Sequence, residues 1–481
     1  MYLGVDLGTS SIKTVVINDE GATVANSISE LSISQPEPLW SEQNPVDWLT
    51  AAEDAIKKLP KEIRKIIKCV GLSGQMHGAV LLDKKGKPLR PAILWNDGRS
   101  FEECDELKSI EPQLSDITGN KIMPGFTSPK LRWIKKHEPE VFAVINKILL
   151  PKDYLRYSWT GDYATDVSDA SGTLWLNVNK RKWSQTAIQA SDLDENLLPT
   201  TFEGPEITGE ISLNASKRLG IPRVPIVAGA GDQAAGAIGA SVIRTKDASL
   251  VLGTSGVIFI VTDGFLPKPD QGVHAFCHAI PKKWHQMAVI LSAASAIDWV
   301  AKITGFKKPE DAYRSAEKSN QKSKAMFLPY LSGERTPHND PYAKGAFFGL
   351  ENTTDKSSLI QAALEGVAFA LTDSFQALQN AGGNCDTITV IGGGSRSVYW
   401  GKIIANCLNK TLTYREEGEA GPAKGAAYLA LSGNLRVKLE ELIKPMPVKK
   451  IIRPENTETE IYAEKISRWR SLYQSTKQLT K

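Results

Sequence analysis

Two short runs in this chain share the tetrad Leu-Gly-Thr-Ser: GVDLGTSSIK at residues 4–13 and LVLGTSGVIF at residues 250–259. A turn made of Gly, Thr and Ser exposes backbone N–H groups and two hydroxyls, with no bulky side chain blocking close approach. Such a turn can cradle phosphate oxygens. Taken singly, each copy reads equally well as a plain β-hairpin. Two copies, 245 residues apart (252 − 7), can grip one triphosphate from opposite sides. A triphosphate held this way travels with a divalent cation, and a hard cation wants carboxylate oxygen, often through water. One carboxylate suffices, because a second adds repulsion against the anion. Asp6 precedes the first turn and Val251 the second, the asymmetry a single-metal clamp predicts. Gly8, Thr9 and Ser10 are therefore candidate phosphate contacts and Asp6 the candidate metal-side carboxylate. Lys13 either lends a positive charge there or is a solvated surface lysine.

Three further runs carry residues of chemical interest. AGAGDQAAG (228–236) sets Asp232 at a glycine-rich strand-to-helix junction. There it reads as a helix N-cap or as a base that accepts a substrate hydroxyl proton, and the two roles are compatible. GLSGQMHGA (71–79) sets Met76 and His77 between glycines at a strand's end; taken alone, such a histidine is more often a core or surface residue. VIGGGSRS (390–397) runs a strand into three glycines and then a helix. Flat backbone there can lie against a nucleotide ring, although the run is not the GxGxxG dinucleotide fingerprint.

At 481 residues the chain is too long for one ordinary core, and two large domains are the natural expectation. It is 41% hydrophobic and 23% charged, and 58 basic against 54 acidic residues leave no footprint for nucleic acid. Five scattered cysteines without a CxxC pair, and six histidines without ligand spacing, indicate neither a disulfide framework nor a zinc site. No basic stretch followed by an apolar one opens the chain, so no signal peptide is expected. The longest apolar stretch, 224–243, is interrupted by Asp232, Gln233 and several glycines and is a poor membrane span. The expected location is cytoplasmic.

These residues need elements to hold them. Residues 2–6, 12–18 and 22–27 read as a β-meander, 46–59 as a helix, 69–82 as strand-like, and 224–228 as an apolar strand running into a small-residue helix. After a charged break at 244–247, residues 248–262 repeat the opening hairpin, followed by helices at 292–303 and 357–381 and a strand-turn-helix at 387–408. The last ~45 residues are charged and helix-compatible. One hairpin theme in each half implies a duplicated α/β architecture with a cleft between lobes. The boundary is placed near Arg244, giving lobes 1–244 and 245–481.

Taken in order, GVDLGTSSIK, GQMHGAVLLD, RPAILWNDGR, TGNKIMPGFTSPKLRW, LLPKDYLR, DVSDASGTLW, GAGDQAAGAIG, LGTSGVIF, LPYLSGERTPHNDPYAKGAFFGL and GPAKGAAYLA resemble the FGGY carbohydrate kinases along almost the whole chain. Within that family the resemblance is strongest to the xylulokinases. It implies two related lobes of the actin, hexokinase and heat-shock chaperone ATPase type (ribonuclease H-like), with a catalytic cleft between them. By matching position it implies a metal-associated Asp6, a substrate-contacting Met76-His77 pair, and a catalytic base at Asp232 with Gln233 touching the sugar. It further implies phosphate contacts at Gly253 and Thr254 and an adenosine site at Gly393 with Ser397 near it. Glycerol kinases carry Arg-Glu where Met76-His77 stands, which argues against glycerol; gluconate kinases can carry Met-His, so the pair alone does not settle the sugar.

The expected activity is phosphorylation of D-xylulose at its 5-hydroxyl by ATP with Mg²⁺, the partner being a small sugar, with neither nucleic acid nor membrane and with a homodimer left open. The alternatives are a kinase for another ketopentose, polyol or sugar acid, or, from a different class, an actin-like or chaperone-like protein driven by ATP hydrolysis.

Overall fold

The computed structural model describes residues 1–319, 324–416 and 421–479. Its first sheet has seven strands: β1 (Tyr2–Leu7), β2 (Ser11–Ile17), β3 (Thr23–Glu30), β4 (Cys69–Gly74), β5 (Ile207–Glu210), β6 (Pro225–Val227) and the short β7 (Ala230–Gly231). They lie in the order β5-β6-β4-β1-β2-β3, with β7 beside β4. The second sheet, also seven-stranded, contains β8 (Ala248–Leu252), β9 (Gly256–Thr262), β10 (His274–Cys277), β11 (Trp284–Ile290), β12 (Thr387–Ile391), β13 (Thr411–Arg415) and β14 (Val448–Ile452). Its order is β10-β11-β9-β8-β12-β13-β14.

Strand for strand, the two sheets repeat one plan. In the first, β1 is antiparallel to β2 and parallel to β4, β2 is antiparallel to β3, and the far edge closes with β4 parallel to β6 and β6 antiparallel to β5. In the second, β8, β9, β11, β12, β13 and β14 take the places of β1, β2, β3, β4, β6 and β5 with the same senses. The extra strand β10 flanks β11. The repeated hairpins differ by one residue: four residues lie between the paired Leu7 and Ile12, three between Leu252 and Gly256.

Helices α1 (Pro45–Lys58), α2 (Pro151–Thr160), α3 (Val167–Ala170) and α4 (Asp232–Gly239) belong to the first half, and α5 (Ala294–Ile303), α6 (Lys356–Asn380), α7 (Val398–Leu408), α8 (Gly421–Leu435) and α9 (Asn456–Thr476) to the second. Along β1 the alternation is strict. Leu3, Val5 and Leu7 enter a core with Ile12, Val16, Trp48 and Ile56, while Tyr2, Gly4 and Asp6 face the other way. On that second face lies α8. A Cβ at Gly4 would sit 1.9 Å from the Ala423 carbonyl oxygen and one at Gly71 2.0 Å from that of Ala426, so only glycine lets the helix approach this closely. The same helix crosses α4, where a Cβ at Gly425 would meet the Ala235 oxygen at 1.9 Å. A helix from the second half of the chain is thus seated on the first sheet, beside the strand that bears Asp6.

Two expectations are corrected. The strand-like run 69–82 is broken: β4 stops at Gly74 and a separate strand, Val80–Leu82, follows a loop that carries Met76 and His77. The charged C-terminal region is not purely helical, since β14 pairs with β13 before α9 begins. Among the described residues no helix is long and apolar enough to cross a membrane.

Candidate active site

Asp6 stands at the carboxyl end of β1, in register with Lys13 on β2 and Ser73 on β4, and Ser73 is itself in register with Ala230 on β7. Its carboxylate is buried, and Ser73 Oγ donates to Asp6 Oδ1 at 3.0 Å. Burial pushes its pKa up to about 6, against the Ser73 hydrogen bond and the charge of Lys13. Lys13 is exposed, and its charge draws the Asp6 carboxyl down. In the second sheet Val251 pairs with Val257 and Ile391. That sheet offers apolar side chains where the first offers a carboxylate, an ammonium and a hydroxyl.

Asp232 follows Gly231, which pairs with Gly74, which in turn pairs with Leu7. The two aspartates therefore emerge near the carboxyl ends of neighbouring strands, where open α/β sheets place their ligands. The N-cap of α4 is Gly231, and Asp232 is the first helical residue, so the capping reading of Asp232 does not hold. Burial first, and the charge of Asp6 second, push Asp232 up to about 7, while the backbone N–H and side chain of Gln233 pull it down. A carboxyl poised near neutrality can take a proton at physiological pH.

Met76 is buried against the same junction, for a Cβ at Gly231 would lie 2.9 Å from Met76 Cγ. His77 adopts a left-handed backbone, φ 70°, and is held through its Nδ1, its carbonyl and its ring face. Its Nδ1 lies 2.6 Å from the Gly172 oxygen. Its carbonyl accepts from Thr127 Oγ1 at 3.1 Å and Lys130 Nζ at 2.9 Å, and its ring lies 4.7 Å from that of Phe126. Burial drives its pKa down to about 3. The ring is neutral at physiological pH, and the carbonyl partner assigns the proton to Nδ1. Nε2 is left as a hydrogen-bond acceptor.

The two turns are anchored differently. Gly8 N–H donates to Ser11 O at 3.0 Å, and the Thr9 hydroxyl donates to Gln75 Oε1 at 3.1 Å while accepting from Trp95 Nε1 at 3.0 Å. Gln43 Nε2 holds the Thr9 carbonyl at 2.8 Å. The Thr9 hydroxyl is committed within the protein, whereas Ser10 is exposed. In the second turn Gly253 N–H donates to Ser255 O at 3.1 Å, and the Gly253 and Thr254 carbonyls accept from Ala294 N at 3.0 Å and Ala293 N at 2.8 Å at the start of α5. Thr254 is exposed. Gly393 lies just past β12, next to β8, with open space where a Cβ would be. Ser397 spends its hydroxyl as the N-cap of α7, accepting from Trp400 N at 3.2 Å.

With this geometry in place, comparison with known proteins gives a clear result. The family models for the N-terminal and C-terminal domains of the FGGY carbohydrate kinases match residues 1–239 and 248–433. The chain belongs to the FGGY family of carbohydrate kinases. It is 47% identical to a xylulose kinase from Escherichia coli (strain K12) over 477 residues, 98% of this chain and 99% of that protein. The crystal structure of a xyloylose kinase from Brucella ovis is 45% identical, covers 99% of both chains and superposes with a TM-score of 0.96. A gluconate kinase from Lactobacillus acidophilus is 26% identical with a TM-score of 0.93, covering 98% of this chain and 97% of its own.

In this carbohydrate kinase the first sheet gathers Asp6, Lys13, Met76, His77, Asp232 and Gln233, and the matching edge of the second carries Gly253, Thr254 and Gly393. Sequence reasoning passes over Ser73, Gln75, Trp95 and Gly172, which orient those groups from segments remote in the chain. Among the described residues no cluster of three or more His, Cys, Asp or Glu could cage a metal. The site fits a cation held mainly by its ligand's phosphates and water, since Asp6, buried at the end of β1 with Ser73 on its Oδ1, offers one hard carboxylate and no cage. A cavity of about 740 Å³ beyond the C-terminal end of α8, lined by Lys282, Arg436 and Lys438 among others, contains none of these residues.

Proposed function

We propose that this kinase transfers the γ-phosphoryl group of ATP to the 5-hydroxyl of D-xylulose. The observation that carries this reading is the junction Met76–Gly231–Asp232. It sets a carboxyl poised near pH 7 beside the Met-His pair, in a chain 47% identical to a xylulose kinase.

Asp232 is the general base: it accepts the hydroxyl proton as the sugar oxygen attacks phosphorus in line. Gln233 holds the Asp232 carboxylate and faces the same substrate. His77 Nε2 accepts a hydrogen bond from a sugar hydroxyl, and Met76 shapes the apolar wall. The turns at Gly8, Thr9, Ser10, Gly253 and Thr254 line the triphosphate, with the hydroxyls of Ser10 and Thr254 toward it. The N–H groups of Gly8 and Gly253 close the turns on Ser11 and Ser255. Thr9 contributes through its backbone because its hydroxyl is engaged by Gln75 and Trp95. Gly393 offers flat backbone to the adenine, and Ser397 supports that wall as a helix cap. The first lobe, 1–244, carries sugar and metal-side groups and the second, 245–481, the nucleotide, with α8 reaching back across the boundary.

Asp6 would hold Mg²⁺, through water or directly, with Lys13 beside it. When bound, the ion neutralises charge on the phosphoryl oxygens. Every proton transfer remains with Asp232.

The test is ATP consumption by the purified protein with xylulose, ribulose, gluconate, glycerol, or no sugar. Turnover that depends strongly on xylulose is expected. A preference for gluconate supports the sugar-acid alternative, and turnover indifferent to every sugar overturns the reading.

A further inference from the structure

Residues 151–172, which touch His77 through Gly172 and Gly231 through Ser168, are built around a buried ionic cluster. Lys152 Nζ lies 2.7 Å from Asp153 Oδ1, 2.8 Å from Asp166 Oδ2 and 3.1 Å from Asp169 Oδ2, with all four side chains fully buried. Arg156, one turn along α2, is equally buried. Its guanidinium donates to Thr208 Oγ1 at 2.6 Å, to the Val227 carbonyl at 2.7 Å and to the Ala228 carbonyl. Burial would strip the charge from Lys152, but the three carboxylates together overrule it. Burying five ionisable groups is costly, and burial raises Asp153 and, more strongly, Asp169 above the usual carboxylate range. Such a cluster calls for a role.

Asp166 caps α3, accepting from Ser168 N at 2.8 Å and Asp169 N at 3.1 Å, and it also accepts from Ser168 Oγ. Ser168 Oγ in turn accepts from Gly231 N–H at 3.1 Å. The strand leading to Asp232 is irregular here: β6 ends at Val227, Gly229 takes φ 84°, and β7 resumes only at Ala230. This kinked stretch is gripped before the kink by Arg156, on the carbonyls of residues 227 and 228. After it, Ser168 holds the N–H of residue 231. Both grips return to one cluster.

We propose that the Lys152–Asp166–Ser168 relay, with Arg156, is the positioning device for the proposed base: it fixes the kinked strand so that Asp232 meets the acceptor hydroxyl at reacting distance. Ser168 is a positioning residue acting through Gly231, one residue before Asp232. Small misplacements of a reacting group are expensive, about 10²-fold for roughly 1 Å.

The proposal rests on the assignment of Asp232 above, and Asp232→Ala, assayed alongside, separates the two. A near-parental kcat there fails the assignment, whereas a large loss there with parental kcat in the relay variants fails the relay alone. Parent enzyme is assayed first; if it phosphorylates another sugar of the panel and not xylulose, the substrate reading fails and the comparison proceeds on that sugar. Ser168→Ala removes the relay's last hydroxyl, and Asp166→Asn keeps its shape while discharging it. Folding is confirmed by circular dichroism. The expected result is a kcat lower by about 10–100-fold in Ser168→Ala and by less in Asp166→Asn, with KM for sugar and ATP within about twofold of the parent. Should Ser168→Ala not fold, Asp166→Asn decides by the same split. Parental kcat in the folded variants, or a loss carried by KM alone, overturns the proposal.

Discussion

His77 turns Nδ1 toward the Gly172 carbonyl oxygen at 2.6 Å, which leaves Nε2 as the ring nitrogen available to a ligand, as an acceptor. Losing a hydrogen bond to a buried hydroxyl commonly costs about 1–3 kcal/mol. His77→Ala should raise KM for xylulose about tenfold or more with KM for ATP hardly changed. Because burial drives its pKa down to about 3, the ring carries no charge between pH 5 and 8. The parent KM for xylulose should show no histidine titration across that range. Steady-state kinetics in both substrates over pH check both expectations; an equal effect on ATP would make His77 a purely structural residue.

Gly172→Ala tests the other side of the same contact. A Cβ there would sit 2.5 Å from His77 Nδ1 and 3.1 Å from Met76 Cε, so the ring must move. The variant should reproduce the sugar defect of His77→Ala without touching the histidine, again with KM for ATP preserved. Normal sugar affinity in Gly172→Ala would show that the position of the ring is not critical.

Asp6→Asn keeps shape and the Ser73 contact but removes the charge. Activity should fall, and the Mg²⁺ concentration for half-maximal rate should rise, because a hard cation prefers carboxylate oxygen. A Mg²⁺ titration of both proteins reads this directly. An unchanged Mg²⁺ requirement would place the ion on the phosphates alone.

Asp232 should cost stability where it serves catalysis. Its folded pKa of about 7 lies above the ordinary value of about 4, so the native state binds the proton more tightly than the unfolded chain. The carboxyl therefore costs nothing below about pH 4, and stability falls as pH rises from there through about 7. Asp232→Asn should be more stable than the parent at pH 8, by about 1–2 kcal/mol after discounting for the partial exposure of the side chain. The gain should vanish near pH 4. Thermal melts at the two pH values measure it; a variant less stable at pH 8 would contradict the sign.

Much of this site is legible in the sequence because its signals are local. The two Leu-Gly-Thr-Ser turns sit between strands that neighbour each other in the chain, and the change from Asp6 to Val251 reports the asymmetry of the lobes before any coordinates do. The strand-to-helix junction at Asp232 is equally local. What escapes is whatever depends on segments distant in the chain, whether a parallel neighbour strand or a helix laid against a strand end. Ser73 meets Asp6 across 67 residues and Ser168 meets Gly231 across 63, and no spacing rule connects them. The glycines at 4 and 71 read as mere strand residues until α8 is seen lying on them. The strand β14 is hidden for another reason. Its sequence, VKKII, carries lysines suited to a sheet edge, and such a run is as compatible with a charged helix.

The central claim is that Asp232 is the general base of sugar phosphorylation, and Asp232→Ala measured with xylulose and Mg-ATP tests it most directly. Because α4 is capped by Gly231 and not by Asp232, the variant should fold and still bind both substrates by equilibrium titration. Its kcat should fall by about 10²–10⁴-fold, the usual contribution of a positioned base. A folded Asp232→Ala protein that phosphorylates xylulose at close to the parental kcat would contradict the account.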